Sequence, residues 1–206
     1  LSPDGTRLVY VVNVADGKSQ LAIRALDRPE ATLLSGTEGA LNPFFSPDGQ
    51  WVAFFAPGKL KKVAITGGAA IDLCDTRSLP PGGSWGEDGS IVVALAARSP
   101  LSRLPSSGGA PQPVTQLDER NAEQSHRWPQ VLPEGKAVLF TAGVYGAIEE
   151  TGSIVVQSLR DGNRKVLRRG AYYGRYLPSG HLVYIQQGKL FAVRFDPGKW
   201  ETGGAP

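Results

Sequence analysis

One tight turn recurs along the chain and constrains the fold more than any other feature. Ser2-Pro3-Asp4-Gly5 returns as Ser46-Pro47-Asp48-Gly49, with weaker copies at Glu87-Asp88-Gly89, Pro133-Glu134-Gly135 and Pro178-Ser179-Gly180. The turn glycines lie 44, 40, 46 and 45 residues apart. Proline presets φ, aspartate caps the local backbone and glycine takes positive φ, which suits a tight connection between strands. A short apolar run follows each turn, at residues 8–12, 52–55, 91–94, 137–140 and 182–185. Runs that are apolar at every position, rich in branched and aromatic residues, belong to strands covered on both faces. A period of about 40 to 45 residues predicts stacked four-stranded sheets, the blades of a β-propeller.

Each repeat follows one grammar. An inner strand such as Asn42-Pro43-Phe44-Phe45 precedes the turn, and the apolar strand follows it. A third, alternating strand comes next (residues 20–24 and 153–157), then a glycine turn and a short polar fourth strand such as residues 165–168. The 26 glycines and 16 prolines fit so many turns. No stretch has an amphipathic helical period, so the expected class is all-β, with about five antiparallel blades in a single domain over residues 1–206. The repeats fall at about 1–41, 42–82, 83–125, 126–171 and 172–206. The first repeat lacks an inner strand, so the chain is expected to be either a five-bladed ring or an open arc of a larger one. The chain opens inside a repeat and contains no methionine, and it is read as a piece of a longer protein. An arc leaves apolar blade faces uncovered, which predicts a homodimer through the terminal blades.

Several functions lack the residues they need. No apolar stretch approaches the roughly 20 residues that a membrane-spanning helix requires, so no insertion is expected in this segment. The two histidines and the lone Cys74 have no metal-ligand spacing, and neither a metal nor another cofactor is expected. Gly82-Gly83-Ser84-Trp85-Gly86 matches Gly-x-Ser-x-Gly formally, but it precedes an inner strand where a nucleophile elbow needs a helix. The basic run at residues 160–175 (Arg160, Arg164, Lys165, Arg168, Arg169 and Arg175) reads as an edge strand kept soluble by charge. Nothing supports nucleic-acid recognition.

Loops entering the inner strands ring one mouth of a propeller channel, and ligands meet rigid scaffolds on such loops. Here they are residues 35–42, 75–84, 116–126 and 169–175. The binding candidates they supply are Arg77, Trp85, Glu123, His126, Arg127, Tyr173 and Arg175, with Tyr172 beside them. The expected partner is a small molecule, peptide or protein at this mouth, bound without catalysis. A second reading makes the chain a glycoside- or ester-directed hydrolase using His126 with Glu123 and Asp118. Acid pairs of that kind need carboxylates that converge with room for substrate, and Asp75 and Glu119 belong to the same acidic set.

The turns before apolar strands resemble the repeats of TolB-type propellers. Further segments carry a resemblance to the propeller regions of bacterial serine/threonine protein kinases, notably acidobacterial ones. These are residues 82–86, Ser125-His126-Arg127-Trp128-Pro129-Gln130 with Leu132-Pro133-Glu134-Gly135, residues 175–184, and residues 190–196. The resemblance implies a sensor or interaction region outside the cytoplasm, in a membrane-anchored bacterial protein, with no catalytic residues to carry over. The kinase signature motifs themselves do not occur in this chain.

Overall fold

The computed structural model describes residues 1–14, 17–77 and 80–204. Its strands form five antiparallel sheets, each a meander in which neighbours in sequence are neighbours in space. The first holds β1 (Arg7–Asn13), β2 (Ser19–Ala25) and β3 (Ala31–Leu33). The second holds β4 (Leu41–Phe45), β5 (Trp51–Ala56), β6 (Lys59–Ala64) and β7 (Ile71–Asp75). The third is β8 (Gly83–Trp85), β9 (Ser90–Ala94), β10 (Leu101–Pro105) and β11 (Gln112–Pro113). β12 (Ser125–Val131), β13 (Ala137–Gly143), β14 (Ser153–Ser158) and β15 (Arg164–Arg169) make the fourth. The fifth is β16 (Tyr172–Leu177), β17 (His181–Gln186), β18 (Lys189–Asp196) and β19 (Glu201–Gly203). One four-residue helix, α1 (Ile148–Thr151), interrupts the β13–β14 connection, where the sequence carried no helical period.

The turns form as their composition dictates. Ser2 and Ser46 each donate from Oγ to the aspartate two residues on, at 2.5 Å. Each serine oxygen also accepts the N–H of the strand that follows, from Arg7 and Trp51. Gly5 and Gly49 close the turns by donating to the Ser2 and Ser46 carbonyls, both with positive φ. Gly89, Gly135 and Gly180 repeat that closure in the later blades.

Four apolar clusters fill the seams between consecutive blades. Val52 and Phe54 of β5 pack with Val9, Leu21 and Leu34 of the first blade. Phe55, on the other face of the same strand, packs with Ile91, Val93 and Leu104 of the third. Val138 and Phe140 face Val92 and Leu101, while Leu139 between them faces Leu182, Tyr184 and Val193. The middle blades are therefore apolar at every position because successive side chains serve two different seams.

The end blades depart from that expectation. Among the described residues no core cluster joins the fifth blade to the first. In β1 only Val9 is buried, and in β17 Leu182 and Tyr184 are buried while Val183 and Ile185 are half-buried. The first sheet has three strands, and β1 is its edge. The weak last strand is present as Glu201–Gly203, and the final two residues of the repeat, Ala205 and Pro206, lie outside the described residues.

Candidate functional site

Three of the four inner strands, β4, β12 and β16, are interrupted near the point where they enter the sheet. In β4 the register runs from Leu41↔Phe55 to Phe44↔Ala53, so one extra residue sits on the inner strand. β12 and β16 carry the same insertion, between Arg127 and Gln130 and between Tyr172 and Arg175. The residue at each bulge is left-handed: Asn42 (φ 47°), Trp128 (φ 50°) and Tyr173 (φ 55°). Gly82 (φ 115°) holds the corresponding place before β8. Positive φ at bulky side chains costs on the order of 1–3 kcal/mol each, and such strain gathers at functional sites. The next residue is proline at 43 and 129, which has no ladder donor to lose, and glycine at 83 and 174. A Cβ on Gly83 would lie 2.6 Å from the Phe44 ring, and one on Gly174 would lie 2.8 Å from Ile154.

Each bulge hands a hydrogen bond to the neighbouring blade. The Trp128 N–H donates to the Pro81 carbonyl at 3.1 Å. The Tyr173 N–H donates to Thr141 Oγ1 at 3.0 Å, and Asn42 Nδ2 donates to the Pro80 carbonyl at 2.9 Å. Arg175 Nη1 donates to the Trp128 carbonyl at 2.6 Å. The four-stranded blades are thus tied to one another around the mouth.

Aromatic and cationic side chains form a continuous row on this face. Arg98 lies 5.0 Å from the Tyr145 ring centre and Arg127 lies 5.8 Å from it. Arg127 also stands 5.2 Å over Trp128. Trp128 meets Tyr173 edge-on at 5.4 Å and Tyr172 at 6.2 Å, and Arg175 stacks 4.6 Å over Tyr173. Tyr173 remains 42% exposed, so the row is open to solvent at its axial end. Burial lowers the basicity of both Arg127 and Arg175.

His126 and Glu123 come together differently. The His126 side chain is fully buried and packs on Phe140, ring centres 4.5 Å apart. Its Nδ1 lies 2.8 Å from Thr115 Oγ1, which also accepts the Leu101 N–H. The hydroxyl proton is thereby directed to Nδ1, and the Nε2 proton to Glu123 Oε2 at 3.1 Å. Arg164 grips the same carboxylate with two bonds of 2.6 and 3.1 Å, and the Asp118 N–H adds a third donor. Burial pushes the Glu123 carboxyl up, but the donors from His126, Arg164 and Asp118 outweigh it and hold the group at about 2. Both histidine nitrogens are occupied and the Glu123 side chain is only 7% exposed, so no substrate atom can approach. This cluster locks the seam between the third and fourth blades.

The remaining candidates scatter. Arg77 is exposed, and Ser78 and Leu79 of its loop lie outside the described residues. Trp85 sits at the far end of β8 and helps line a 570 Å³ cavity on the opposite, turn-bearing face, with Pro3, Pro47, Gln130, Tyr176 and Pro178. Asp75 pairs with Lys59 at 2.6 Å on the edge of the second blade, away from Glu123 and Asp118. Of the basic run, Arg164 serves Glu123, Arg168 stands over Tyr184 and Arg175 serves Trp128. Ser84 Oγ accepts the Val131 N–H at 2.9 Å and ties β8 to β12. Cys74 is pushed up to about 11 by burial and by Asp75 beside it. No group of three or more metal-ligating side chains exists among the described residues.

Arg98, Tyr145 and Asn42 carry no motif that marks them in the sequence, and the ring that packs on His126 is Phe140 of the next strand. Arg98 and Tyr145 sit on the β9–β10 and β13–β14 hairpins, which end on the same face as the inner-strand loops because neighbouring strands are antiparallel. The legible signal for the bulges was the Pro or Gly recurring inside every inner strand.

Five meanders joined seam to seam, with inner strands converging on one mouth, define a β-propeller scaffold. The solved structures similar to it are TolB-like and other propellers. TolB from Acinetobacter baumannii superposes with a TM-score of 0.67 at 13% identity, over 91% of this chain and 50% of that one. A putative TolB from Agrobacterium tumefaciens gives 0.70 at 15% identity, over 98% of this chain and 77% of that one. The Cps50 (Swd1) β-propeller domain from Myceliophteria thermophila gives 0.71 at 13% identity, over 96% and 64%. The chain thus spans half the length of the first of these structures. No protein-family model matches the chain.

Proposed function

We propose that the chain is a non-enzymatic binding propeller, one domain whose partner docks at the channel mouth lined by Trp128, Tyr173, Arg127 and Arg175. The observation that carries this reading is the repeated left-handed bulge at Asn42, Trp128 and Tyr173. A fold that only needed to pack would shed that strain, whereas a recognition surface needs aromatic side chains held rigidly toward the opening. The closed His126–Glu123 pair favours binding over hydrolysis. The resemblance to kinase-associated propellers supports a sensor role outside the cytoplasm, as the ligand-reading part of a membrane-anchored bacterial protein. The uncovered faces of the first and fifth blades support a homodimer through those blades.

Thermal-shift screening of small molecules and peptides tests the proposal. Hits are expected to lose their stabilisation on Trp128→Ala and Tyr173→Ala but to keep it on Glu123→Gln. Turnover of any substrate that disappears with Glu123→Gln or His126→Ala, while the fold survives, would overturn it.

A further inference from the structure

Arg127 is half-buried, yet its guanidinium has no acidic partner among the described residues, and its Nε is buried without any hydrogen bond. Charged groups taken out of water are normally paired, because desolvation without compensation is costly. Arg103, Arg164 and Arg175 have oxygen partners in Asp88, Glu123 and the Trp128 carbonyl. The Nε atoms of Arg24 and Arg168 are also buried without a hydrogen bond, but among the described residues neither side chain meets a second cation on a shared ring, as Arg127 does on Tyr145. Arg98 converges on the same Tyr145 ring from the neighbouring blade, and it too forms no ion pair among the described residues. Glu149 and Glu150 of α1 lie close in sequence but remain exposed and engage neither arginine. Two cations brought to one ring without a counter-ion repel each other unless an anion joins them.

We propose that Arg98 and Arg127, held 5.0 and 5.8 Å from the Tyr145 ring centre, form a carboxylate-binding subsite at the channel mouth. The inference rests on the binding reading above and gives it a ligand chemistry. The two guanidinium forks offer planar, paired donors that match the two oxygens of a carboxylate. Trp128 and Tyr173, next in the row, supply an aromatic shelf for an apolar group attached to that acid. The ligand class is therefore a carboxylate next to an aromatic or apolar group, carried either by a free organic acid or by an acidic peptide segment.

Nuclear magnetic resonance on the purified chain tests this directly, reading the Arg127 Nε–H and the Trp128 indole N–H. The probes are phenylacetate against phenylacetamide, the capped peptide acetyl-Gly-Phe-Asp-Gly-amide against its Asn counterpart, and inorganic phosphate. At least one acid is expected to shift both resonances and to bind about ten-fold more tightly than its neutral counterpart. Arg98→Gln and Arg127→Lys should each weaken that acid about ten-fold and leave the neutral probes unchanged. Arg98 is exposed, so its variant tests the subsite even if Arg127 proves necessary for folding. Phenylacetate binding alone assigns the free acid, and peptide binding alone assigns the peptide. Equal binding of acids and neutral counterparts at Trp128 would sink the subsite while sparing the mouth as a binding surface. Preference for phosphate over both acids would overturn the carboxylate assignment. Silence of both resonances toward every probe would overturn the subsite and the binding reading together.

Discussion

The Arg175 guanidinium donates to the Trp128 carbonyl at 2.6 Å, fastening the fifth inner strand to the fourth where both are bulged. The bulge frees that carbonyl from its own ladder, and a half-buried cation replaces the missing partner. Arg175→Met keeps the stem but removes the donor, and should destabilise the chain by about 2 kcal/mol. Urea denaturation monitored by tryptophan fluorescence reads the loss, and an unchanged midpoint would refute the tie.

Glu123 makes stability depend on acid. Its folded pKa of about 2 lies below the ordinary 4.5, so the contribution is complete above pH 4.5 and is lost as pH falls toward 2. The depression corresponds to ~3 kcal/mol at neutral pH. Glu123→Gln should flatten the stability profile across that window. It should also lower stability at neutral pH, because Arg164 is left in the seam with only the more distant Asp118 carboxylate at 3.7 Å. Urea midpoints measured through the window for both proteins check the sign.

Two glycines should respond in opposite degree to alanine. A Cβ on Gly152 would fall inside van der Waals contact of the Ile148 and Ala171 carbonyl oxygens, which are backbone and cannot swing aside. Gly58 has positive φ but open space around it. Gly152→Ala is expected to cost about 3 kcal/mol and Gly58→Ala about 1 kcal/mol. Comparable melting temperatures for the two variants would contradict the close approach seen at Gly152.

The terminal blades should associate. β1 is an unpaired edge, Val11 on it and Leu33 on β3 are 36% and 51% exposed, and Leu190 on the fifth blade is 73% exposed. Uncovered apolar faces and open edges favour pairing with another copy. Light scattering at micromolar concentration is expected to show a dimer, and a monodisperse 21.9 kDa species would rule it out.

The repeat was legible because its determinants are local. Ser46, Asp48 and Gly49 fold their turn through contacts within a few residues, and the apolar run at residues 52–55 announces two covered faces without naming what covers them. The same locality let residues 8–12 pass as a strand buried on both sides, since the sequence of a strand does not record whether a blade stands next to it.

The site depended on distances between blades. His126 stood out in the sequence as a potential base, yet Thr115 and Arg164, from either side of the seam, close it in and leave Glu123 a structural carboxylate. Arg98 was unremarkable in its hairpin until the fold set it over the Tyr145 ring of the next blade, beside Arg127. The sequence alone determined the strands, the turns and the period, whose energetics are settled within each repeat. Which side chains face the opening, and which charges lack a partner there, was decided only when the blades packed against one another. Burial and pairing are properties of neighbours distant in sequence.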